Sequence, residues 1–263
     1  MSGLDLDQLL DAAVAAARAG GEIVRGAVDT APEAREKGPG DWVSDADTAS
    51  ERAVRAVLTA AAPDLPVHGE EEGGERGRRG WLVDPIDGTT NFLHRFPVVG
   101  VSVALVDDGQ PIVGVVHAPL LGDTYAARAG GGAHRNGTPI RVSDRAPSQS
   151  VLATGTPFRA KRTRLGEYVQ VFERAMLTFE DLRRAGAASL DLAWTAAGVF
   201  DGYFEQALGP WDVAAGALLV REAGGRVTDW AGDQDGWIAS GDIVAAAPTV
   251  HEQILAVIAG DPA

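Results

Sequence analysis

The chain has 263 residues and a formal net charge of −14, and its length is enough for one or two domains with a sizeable core. Apolar residues make up 45% of it and charged residues 23%, which excludes a wholly disordered chain. Cysteine is absent, and this excludes disulfides, iron–sulfur clusters, thiolate zinc sites and cysteine nucleophiles. The acidic balance argues against a nucleic-acid partner, because binding to a phosphate backbone needs a basic surface.

The first residues predict a protein that is not exported. They include Asp5, Asp7 and Asp11, where a signal peptide would need a basic start. No apolar run reaches the ~18 residues that a membrane-spanning helix needs. We therefore expect a soluble, cytoplasmic protein without a membrane partner.

The first half of the chain is predicted to combine two helices with a set of strands. Apolar residues at helical spacing from Leu6 to Val24 predict the first helix, which the proline- and glycine-containing segment 32–40 ends. The second helix is predicted from Ser44 to Ala62. The strand and turn signals that follow are a buried strand at Trp81–Asp84, a strand at Val99–Leu105, a turn at Asp108-Gly109 into a strand at Ile112–His117, and a hairpin turn at Asn136-Gly137.

The polar segment Asp144–Gln149 is the predicted domain boundary. It separates an α+β part at residues 1–146 from an α/β part at residues 147–263. In the second part, the predicted helices are Leu165–Met176, Ser189–Ala197, Pro210–Glu222 and His251–Ala259. The predicted strands are Gly202–Glu205, a short strand at Val227, and Ile243–Ala246.

The strand at Trp81–Asp84 leads into an unusual acidic motif. It delivers Asp84 and Asp87 at its end, and the intervening Pro85 restricts the backbone between them. The run Gly88-Thr89-Thr90-Asn91 has the composition of a tight turn that feeds a helix start, and such a start is a natural seat for phosphate. Two carboxylates beside an anion seat indicate a bound cation, although aspartates in this position also cap turns.

Two further acids occupy comparable places. Glu70 is the first residue after the strand-like Leu65-Pro66-Val67, and Asp212 lies in the first turn of a small-residue helix. The alternative interpretations are a solvated acidic loop at 70–72 and plain helix capping by Asp212. If the four acids converge, they need a counter-ion, and no cluster of Lys or Arg lies near them in sequence. All-oxygen ligands select hard cations, and Mg²⁺ fits where a substrate phosphate completes the coordination.

Together these segments resemble the inositol monophosphatase family of Mg²⁺-dependent, lithium-sensitive phosphatases. The resemblance covers nearly the whole chain. It is carried by Asp41-Trp42-Val43-Ser44 with Asp47, by Gly69-Glu70-Glu71, by the segment from Asp84 to Phe92, and by Trp211–Gly216 with Glu222-Ala223-Gly224-Gly225. It implies a layered α-β-α-β-α sandwich of the inositol monophosphatase and fructose-1,6-bisphosphatase type, assembled as a homodimer.

The resemblance also implies two to three Mg²⁺ ions in each active site. The ligands of the first would be Glu70, Asp84 and the carbonyl of Ile86. Those of the second would be Asp84, Asp87 and Asp212, and Glu70 would also face a third, weaker ion. The first part of the chain would thus carry most of the metal ligands, and the second would carry Asp212.

The family's activity is hydrolysis of inositol 1-phosphate, by direct attack of a metal-activated water on the phosphorus. The resemblance implies that Glu70, Thr89 and Asp47 are catalytic, with the last two orienting the water. The residues implied to contact the substrate are Asp87, Gly88, Thr89, Gly186, Ala187, Ala188, Glu205 and Asp212. Lys37 matches a basic residue of a mobile loop of the family, and the roles of Asp45 and Glu71 stay open.

Three other phosphate esters remain as alternative substrates: histidinol phosphate, fructose 1,6-bisphosphate and 3′-phosphoadenosine 5′-phosphate. Thr90 favours the inositol branch, because the histidinol-phosphate branch is expected to have Lys there. A bisphosphate or a nucleotide should need extra basic residues, for which Arg183 and Arg184 are the nearby candidates. A function of another class is a regulatory protein that binds the transcription machinery, as some bacterial relatives do.

Overall fold

Two β-sheets alternate with three helical layers in the part of the chain that the structure describes. The computed structural model describes residues 5–30, 33–38 and 41–260, except for the side chains of Asp41, Phe158 and Lys161. The helices are α1 (Leu6–Ala27), α2 (Asp45–Ala61), α3 (Thr89–Leu93), α4 (Lys161–Thr178), α5 (Ala188–Ala196), α6 (Pro210–Glu222), α7 (Trp237–Ser240) and α8 (Pro248–Ala259). None of them is long and apolar enough to cross a membrane.

The larger sheet has the strand order β3-β4-β5-β6-β7-β8-β9, with β3 parallel to β4 and every later neighbour antiparallel. Its strands are β3 (Val67–Gly69), β4 (Arg79–Asp87), β5 (Gly100–Asp107), β6 (Gln110–Ala118), β7 (Asp123–Arg128), β8 (Ala133–Arg135) and β9 (Thr138–Ile140). Because β3 and β4 are parallel, their carboxyl ends carry the residues that follow them to the same edge of the sheet.

The smaller sheet has the order β11-β10-β12-β14-β13, with β10 parallel to both of its neighbours and β14 antiparallel to both of its own. Its strands are β10 (Val151–Thr154), β11 (Asp181–Arg183), β12 (Gly202–Glu205), β13 (Arg226–Thr228) and β14 (Ile243–Ala246). A separate hairpin is formed by β1 (Ala34–Gly38) and β2 (Asp41–Ser44).

Three apolar cores hold the layers together. The first lies between helices α1 and α2 and one face of the larger sheet, where Leu9 and Val101 are fully buried. The second surrounds α5 and α6 between the two sheets. The third lies between the smaller sheet and the outer helices α4 and α8, around Phe204 and Ile254. The predicted α-β-α-β-α sandwich is therefore confirmed.

Helix α6 can approach the larger sheet closely because small residues face each other there. A Cβ at Gly114 of β6 would lie 2.8 Å from the carbonyl oxygen of Ala215. A Cβ at Gly216 would lie 2.4 Å from the Cβ of Leu192 on α5. This close packing fixes α6, and with it Asp212, relative to the strand that carries Asp84.

Most predicted elements occur within two or three residues of their expected limits, but β4 extends beyond its predicted limits. Strand β4 runs through Asp87, so the acidic motif lies within the strand, at a register shift in its pairing with β5. The elements that were not predicted are the hairpin β1–β2, the strands β7, β10 and β11, and the helix α7. Pro32, Pro39 and Gly40 lie outside the described residues. The segment 144–149 connects the last strand of the larger sheet to the first strand of the smaller one. The domain boundary assigned to it stays a prediction.

His251 on α8 gives the fold a predictable response to acid. It is 3% exposed, its Nε2 lies 3.0 Å from Thr228 Oγ1, and burial together with the charge of Arg226 lowers its pKa to about 4. The unfolded chain would bind a proton there near pH 6.5, so stability falls as the pH drops from about 6.5 towards 4. Between about pH 7 and pH 5, we expect the unaltered protein to lose about 1 to 2 kcal/mol more unfolding free energy than His251→Gln does.

Urea unfolding of both proteins at the two pH values measures this difference. The matched control is His94→Gln, which makes the same substitution at an exposed position. An equal loss of unfolding free energy in the unaltered protein and in His251→Gln would show that this histidine does not titrate as described.

Candidate active site

A cavity of about 310 Å³ lies where the carboxyl ends of β3 and β4 meet the starts of α3, α5 and α6. Its wall combines acidic, basic and small residues with few apolar ones. They are Trp42, Glu70, Asp84, Ile86, Asp87, Gly88, Thr89, Thr90, Gly155, Thr156, Arg159, Arg184, Gly186, Ala188, Glu205, Leu208 and Asp212. The four acids that the sequence singled out therefore line one cavity, although Glu70 and Asp212 are 142 positions apart in the chain.

Three of these acids form a tight carboxylate cluster, which consists of Glu70, Asp84 and Asp212. One ligand oxygen from each lies within 4.8 Å of the other two. Glu70 follows β3 directly, Asp84 lies in β4, and Asp212 lies in the first turn of α6. The fold thus brings together donors from three elements at one point.

The electrostatics of the cluster are unfavourable without a cation. Burial, followed by the charges of Glu70, Asp87 and Asp212, raises the pKa of Asp84 well above its usual range. Burial and the charge of Asp212 raise the pKa of Glu70 to about 8. Because ionised carboxylates repel each other in a buried site, this set of oxygen donors fits a hard divalent cation such as Mg²⁺.

Backbone groups orient the carboxylates. Asp84 Oδ1 accepts a hydrogen bond from the Ile86 N–H at 3.0 Å, and Asp212 Oδ2 accepts one from the Gly209 N–H at 2.7 Å. Asp212 therefore caps α6 and also belongs to the cluster, so the two interpretations of this residue are compatible. Asp87 Oδ2 accepts from the Ser189 N–H at 2.6 Å, while burial and the charge of Asp212 raise its pKa to about 7.

Two cations reach the cluster from distant parts of the chain. Lys37 Nζ lies 3.1 Å from Glu70 and 2.7 Å from Glu71, and Arg159 Nη1 lies 2.7 Å from Asp212. Burial lowers the pKa of Lys37, but the charges of the two glutamates outweigh it and the pKa is raised. The sequence offered no signal for Arg159, because it begins a stretch with further basic residues that has the composition of an exposed surface.

The hydroxyl of Thr89 links the cavity to a buried acid outside its wall, Asp47. Thr89 Oγ1 lies 3.2 Å from Asp47 Oδ1 and 3.0 Å from the carbonyl oxygen of Ile86. Asp47 also accepts the Ser44 N–H at 2.8 Å, and burial raises its pKa to about 6 despite that hydrogen bond. Asp47 is not in the cavity wall, so it acts on the cavity through Thr89.

The turn before Thr89 explains one glycine of the motif. Gly88 has a φ of +89°, a conformation that other residues rarely adopt, and a Cβ there would lie 2.9 Å from the carbonyl oxygen of Val98. The helix that follows, α3, has five residues. The predicted strand–turn–helix arrangement is present, with a helix of little more than one turn.

The cavity wall also contains Glu205, Arg184, Gly186 and Ala188. The Tyr203 hydroxyl donates a hydrogen bond to Glu205 Oε2 at 2.6 Å. Burial raises the pKa of Glu205 to about 8. Ala187 was predicted to contact substrate, but its side chain is buried beside Gly88 and is not part of the wall.

Four residues whose roles were left open can now be placed. Asp45 is exposed, and Glu71 pairs with Lys37. Arg183 pairs with Asp181 on the surface, whereas its neighbour Arg184 faces the cavity. Of the two arginines considered for a second anionic group, only Arg184 is in a position to meet one.

Gly155, which lies beside the Glu205 carboxylate, allows a direct test of Glu205. A Cβ at Gly155 would lie 1.9 Å from the Glu205 carboxylate, so Gly155→Ala must displace that carboxylate. If Glu205 contacts a substrate, as the family resemblance implies, KM should rise about tenfold, which corresponds to the loss of one polar contact of about 1–2 kcal/mol. The Mg²⁺ concentration that gives half-maximal activity should stay unchanged.

Steady-state kinetics at varied substrate and varied Mg²⁺ check this expectation. Gly166→Ala on α4 is the matched control, because a Cβ there has nothing within 4 Å. If Gly155→Ala changes the Mg²⁺ requirement and leaves KM unchanged, Glu205 does not hold the substrate.

Comparison with known proteins gives a consistent result. A model of the inositol monophosphatase family matches residues 5–261. The chain is 43% identical over 250 residues to the putative Nus factor SuhB of Neisseria meningitidis serogroup B, a match that covers 93% of this chain and 95% of that protein. It is 41% identical over 226 residues to the inositol-1-monophosphatase of Mesorhizobium japonicum, with 84% of each covered. A solved inositol monophosphatase structure from Anabaena matches with a TM-score of 0.88 at 35% identity, covering 98% of both chains.

Proposed function

Because the chain belongs to the inositol monophosphatase family, we propose that it is a Mg²⁺-dependent phosphomonoesterase that hydrolyses inositol 1-phosphate. The observation that carries this proposal is the cluster of Glu70, Asp84 and Asp212 in the same cavity as Thr89, whose hydroxyl contacts Asp47. A relative that is 41% identical bears the name inositol-1-monophosphatase, which supports the same substrate.

The cluster and its neighbours would hold two to three Mg²⁺ ions. Glu70, Asp84 and the carbonyl of Ile86 would serve one ion, Asp84 with Asp87 and Asp212 would serve another, and Glu70 would also face a weaker third. Bound Mg²⁺ acidifies water, neutralises charge on the phosphate and stabilises the leaving oxygen. Lys37 and Arg159 contact the same carboxylates, so both side chains would have to shift as ions bind.

The chain's own groups would then position the reactants. The carboxylate of Asp47 accepts the Thr89 hydroxyl hydrogen, which leaves that oxygen free to accept a hydrogen bond from the attacking water. The backbone at Gly88 and Thr89 would hold the phosphate. Ser189 donates two hydrogen bonds to one oxygen of Asp87 and so fixes the orientation of the carboxylate. The second oxygen of Asp87 would therefore point in a constant direction during the reaction.

The part of the cavity wall around Glu205 would hold the polyol. The Glu205 carboxylate can accept hydrogen bonds from ring hydroxyls, and Gly186 and Ala188 leave room for the ring. The alternative substrates are histidinol phosphate, fructose 1,6-bisphosphate and 3′-phosphoadenosine 5′-phosphate. Glu205 suits the cation of the first, while Arg184 and Arg159 could meet the second anionic group of the other two.

Phosphate release from these four compounds, each with saturating Mg²⁺ and with EDTA, tests the proposal. We expect metal-dependent turnover with a preference for inositol 1-phosphate. A preference for another of the four compounds would support the proposed phosphatase chemistry and contradict the proposed substrate. No turnover from folded protein that binds Mg²⁺ would contradict the proposed activity.

A second candidate function has support in the names of relatives. The Neisseria relative is called a putative Nus factor, so a regulatory role with the transcription machinery is the alternative. Retention of all the predicted metal-ligand residues favours catalysis. Recovery of RNA polymerase subunits by an immobilised, inactive Asp84→Asn protein would support the regulatory role, and their absence would count against it.

The remaining expectations are also part of this proposal. They are a homodimer, inhibition by lithium and a cytoplasmic location. Light scattering of the purified protein, phosphate release in the presence of LiCl, and fractionation of the source cells test them in turn.

A further inference from the structure

A fully buried glutamate on α2 contacts the segment that carries Glu70. Glu51 has no exposed surface, and it is not in the cavity wall. Its Oε2 accepts the Glu71 N–H at 2.8 Å and its Oε1 accepts the Glu72 N–H at 3.1 Å. Both oxygens are therefore used to hold the backbone just after Glu70.

Arg55, one helical turn further along α2, extends this contact to both ends of the same segment. Its Nη2 donates to Glu51 Oε1 at 2.8 Å and to the Gly73 carbonyl at 2.9 Å. Its Nη1 donates to the carbonyl of Val67 at 2.7 Å. One guanidinium thus ties the start of β3, the turn after Glu72 and the carboxylate of Glu51 into a single unit.

The absence of a side chain at Gly69 makes room for this arrangement. A Cβ at Gly69 would lie 2.1 Å from the Glu51 carboxylate, so only glycine lets the carboxylate approach the strand. The Gly69 N–H donates to the Gly73 carbonyl at 2.9 Å, and the Glu70 N–H donates to the Val83 carbonyl at 3.0 Å. The backbone of Glu70 is therefore held from β4 on one side and from α2 on the other.

We propose that Glu51, together with Arg55, is a positioning residue that fixes residues 70–73 so that the Glu70 carboxylate faces Asp84 and Asp212. The effect of Glu51 on turnover rests on the proposed function, whereas its effect on the position of residues 70–73 does not. The ion pairs that Lys37 and Arg52 make with this segment are to its glutamate side chains, whereas Glu51 and Arg55 hold its backbone. Without a fixed backbone, the Glu70 carboxylate would move away from two acids that repel it.

Glu51→Gln keeps the size of the side chain and replaces one acceptor oxygen with an NH₂ group. That group would face a backbone N–H or the guanidinium, so at least one donor loses its acceptor. Hydrogen exchange of the peptide that covers residues 68–75, measured on metal-free protein, should become faster. The dissociation constant for Mg²⁺, measured by calorimetry, should rise about tenfold or more, as for other residues that orient metal ligands. KM at saturating Mg²⁺ should stay near that of the unaltered protein.

Asp201→Asn is the matched control for a general loss of stability. Asp201 is 1% exposed, accepts the Val151 N–H at 2.7 Å and pairs with Arg145 at 2.8 Å, at the opposite end of β12 from Glu205. It should lower the unfolding temperature and leave Mg²⁺ affinity and exchange at 68–75 unchanged. Arg55→Lys is a milder second variant, because one ammonium cannot reach all three acceptors, and we expect an intermediate effect.

Two results decide the proposal, and a third separates it from the proposed function. Faster exchange at 68–75 with weaker Mg²⁺ binding in Glu51→Gln and Arg55→Lys supports it. Unchanged exchange and unchanged Mg²⁺ affinity in both variants would overturn it, whatever the proteins hydrolyse. If the unaltered protein binds Mg²⁺ but releases no phosphate from any ester, the proposed function fails, while exchange and Mg²⁺ affinity still test the role of Glu51.

Discussion

Asp84→Asn is expected to abolish phosphate release and, at the same time, to stabilise the metal-free protein. Asp84 is 2% exposed and lies between Glu70, Asp87 and Asp212, whose charges all raise its pKa. The amide keeps an oxygen that can accept the Ile86 N–H, so the local backbone should not change. Loss of one charged metal ligand should lower kcat/KM at least about 1,000-fold, or roughly 4 kcal/mol of transition-state stabilisation.

The gain in stability follows from the repulsion that the substitution removes. Two unit charges 4 Å apart repel by about 4 kcal/mol at an effective dielectric constant of about 20. Lys37 and Arg159 already offset part of this repulsion, so we expect a gain of about 2 kcal/mol in the free energy of unfolding with EDTA present. Added Mg²⁺ should stabilise the unaltered protein and have little effect on the variant.

The same charges set the pH dependence of the metal-free protein. The pKa of Glu70 is about 8 and that of Asp87 about 7 in the folded state, whereas both groups titrate near 4 in an unfolded chain. Between these values the folded state binds more protons, so this contribution to stability is lost as the pH rises from about 4 to about 8. Asp84→Asn should make the decline shallower.

Urea unfolding with EDTA and with Mg²⁺, at several pH values, measures all of these effects. Asp45→Asn is the control, because Asp45 carries the same charge in an exposed position. A variant that is both inactive and less stable without metal would show that Asp84 stabilises the fold by its charge, and would contradict the repulsive cluster.

Local signals in the sequence were enough to single out the four acids and most of the helices and strands. Asp84 and Asp87 stand in one short motif, and Asp212 follows the helix-starting Pro210, so residue type and spacing distinguished them. The layered fold and the grouping of the acids as metal ligands came from the family resemblance.

Arg159 and the Glu51–Arg55 unit could not be predicted in this way. Glu51 lies on a helix whose neighbours include other charged residues, and nothing in its spacing distinguishes a buried carboxylate from an exposed one. Its partners are backbone N–H groups, which carry no sequence signal. Arg159 meets Asp212 only because the smaller sheet places the chain after β10 beside α6.

The Thr89–Asp47 pair gives the second large expected effect. Thr89→Ala removes the hydroxyl that lies between Asp47 and the cavity, and Asp47→Asn replaces the acceptor that orients it. If the pair orients the attacking water, each change should lower kcat by about 100- to 1,000-fold. The affinity for Mg²⁺ should change little, because neither side chain belongs to the carboxylate cluster.

Thr89→Ser is the matched control, since it keeps the hydroxyl and removes only a methyl group, and it should retain most of the activity. Because the two residues act as one unit, the double variant Asp47→Asn with Thr89→Ala should be hardly slower than either single variant. Single-turnover measurements at saturating Mg²⁺ separate the chemical step from binding. A Thr89→Ala protein with unchanged kcat and a raised KM would limit this hydroxyl to phosphate binding. Multiplicative losses in the double variant would show that Asp47 and Thr89 act independently, and the orientation of the water would then need another residue of the cavity.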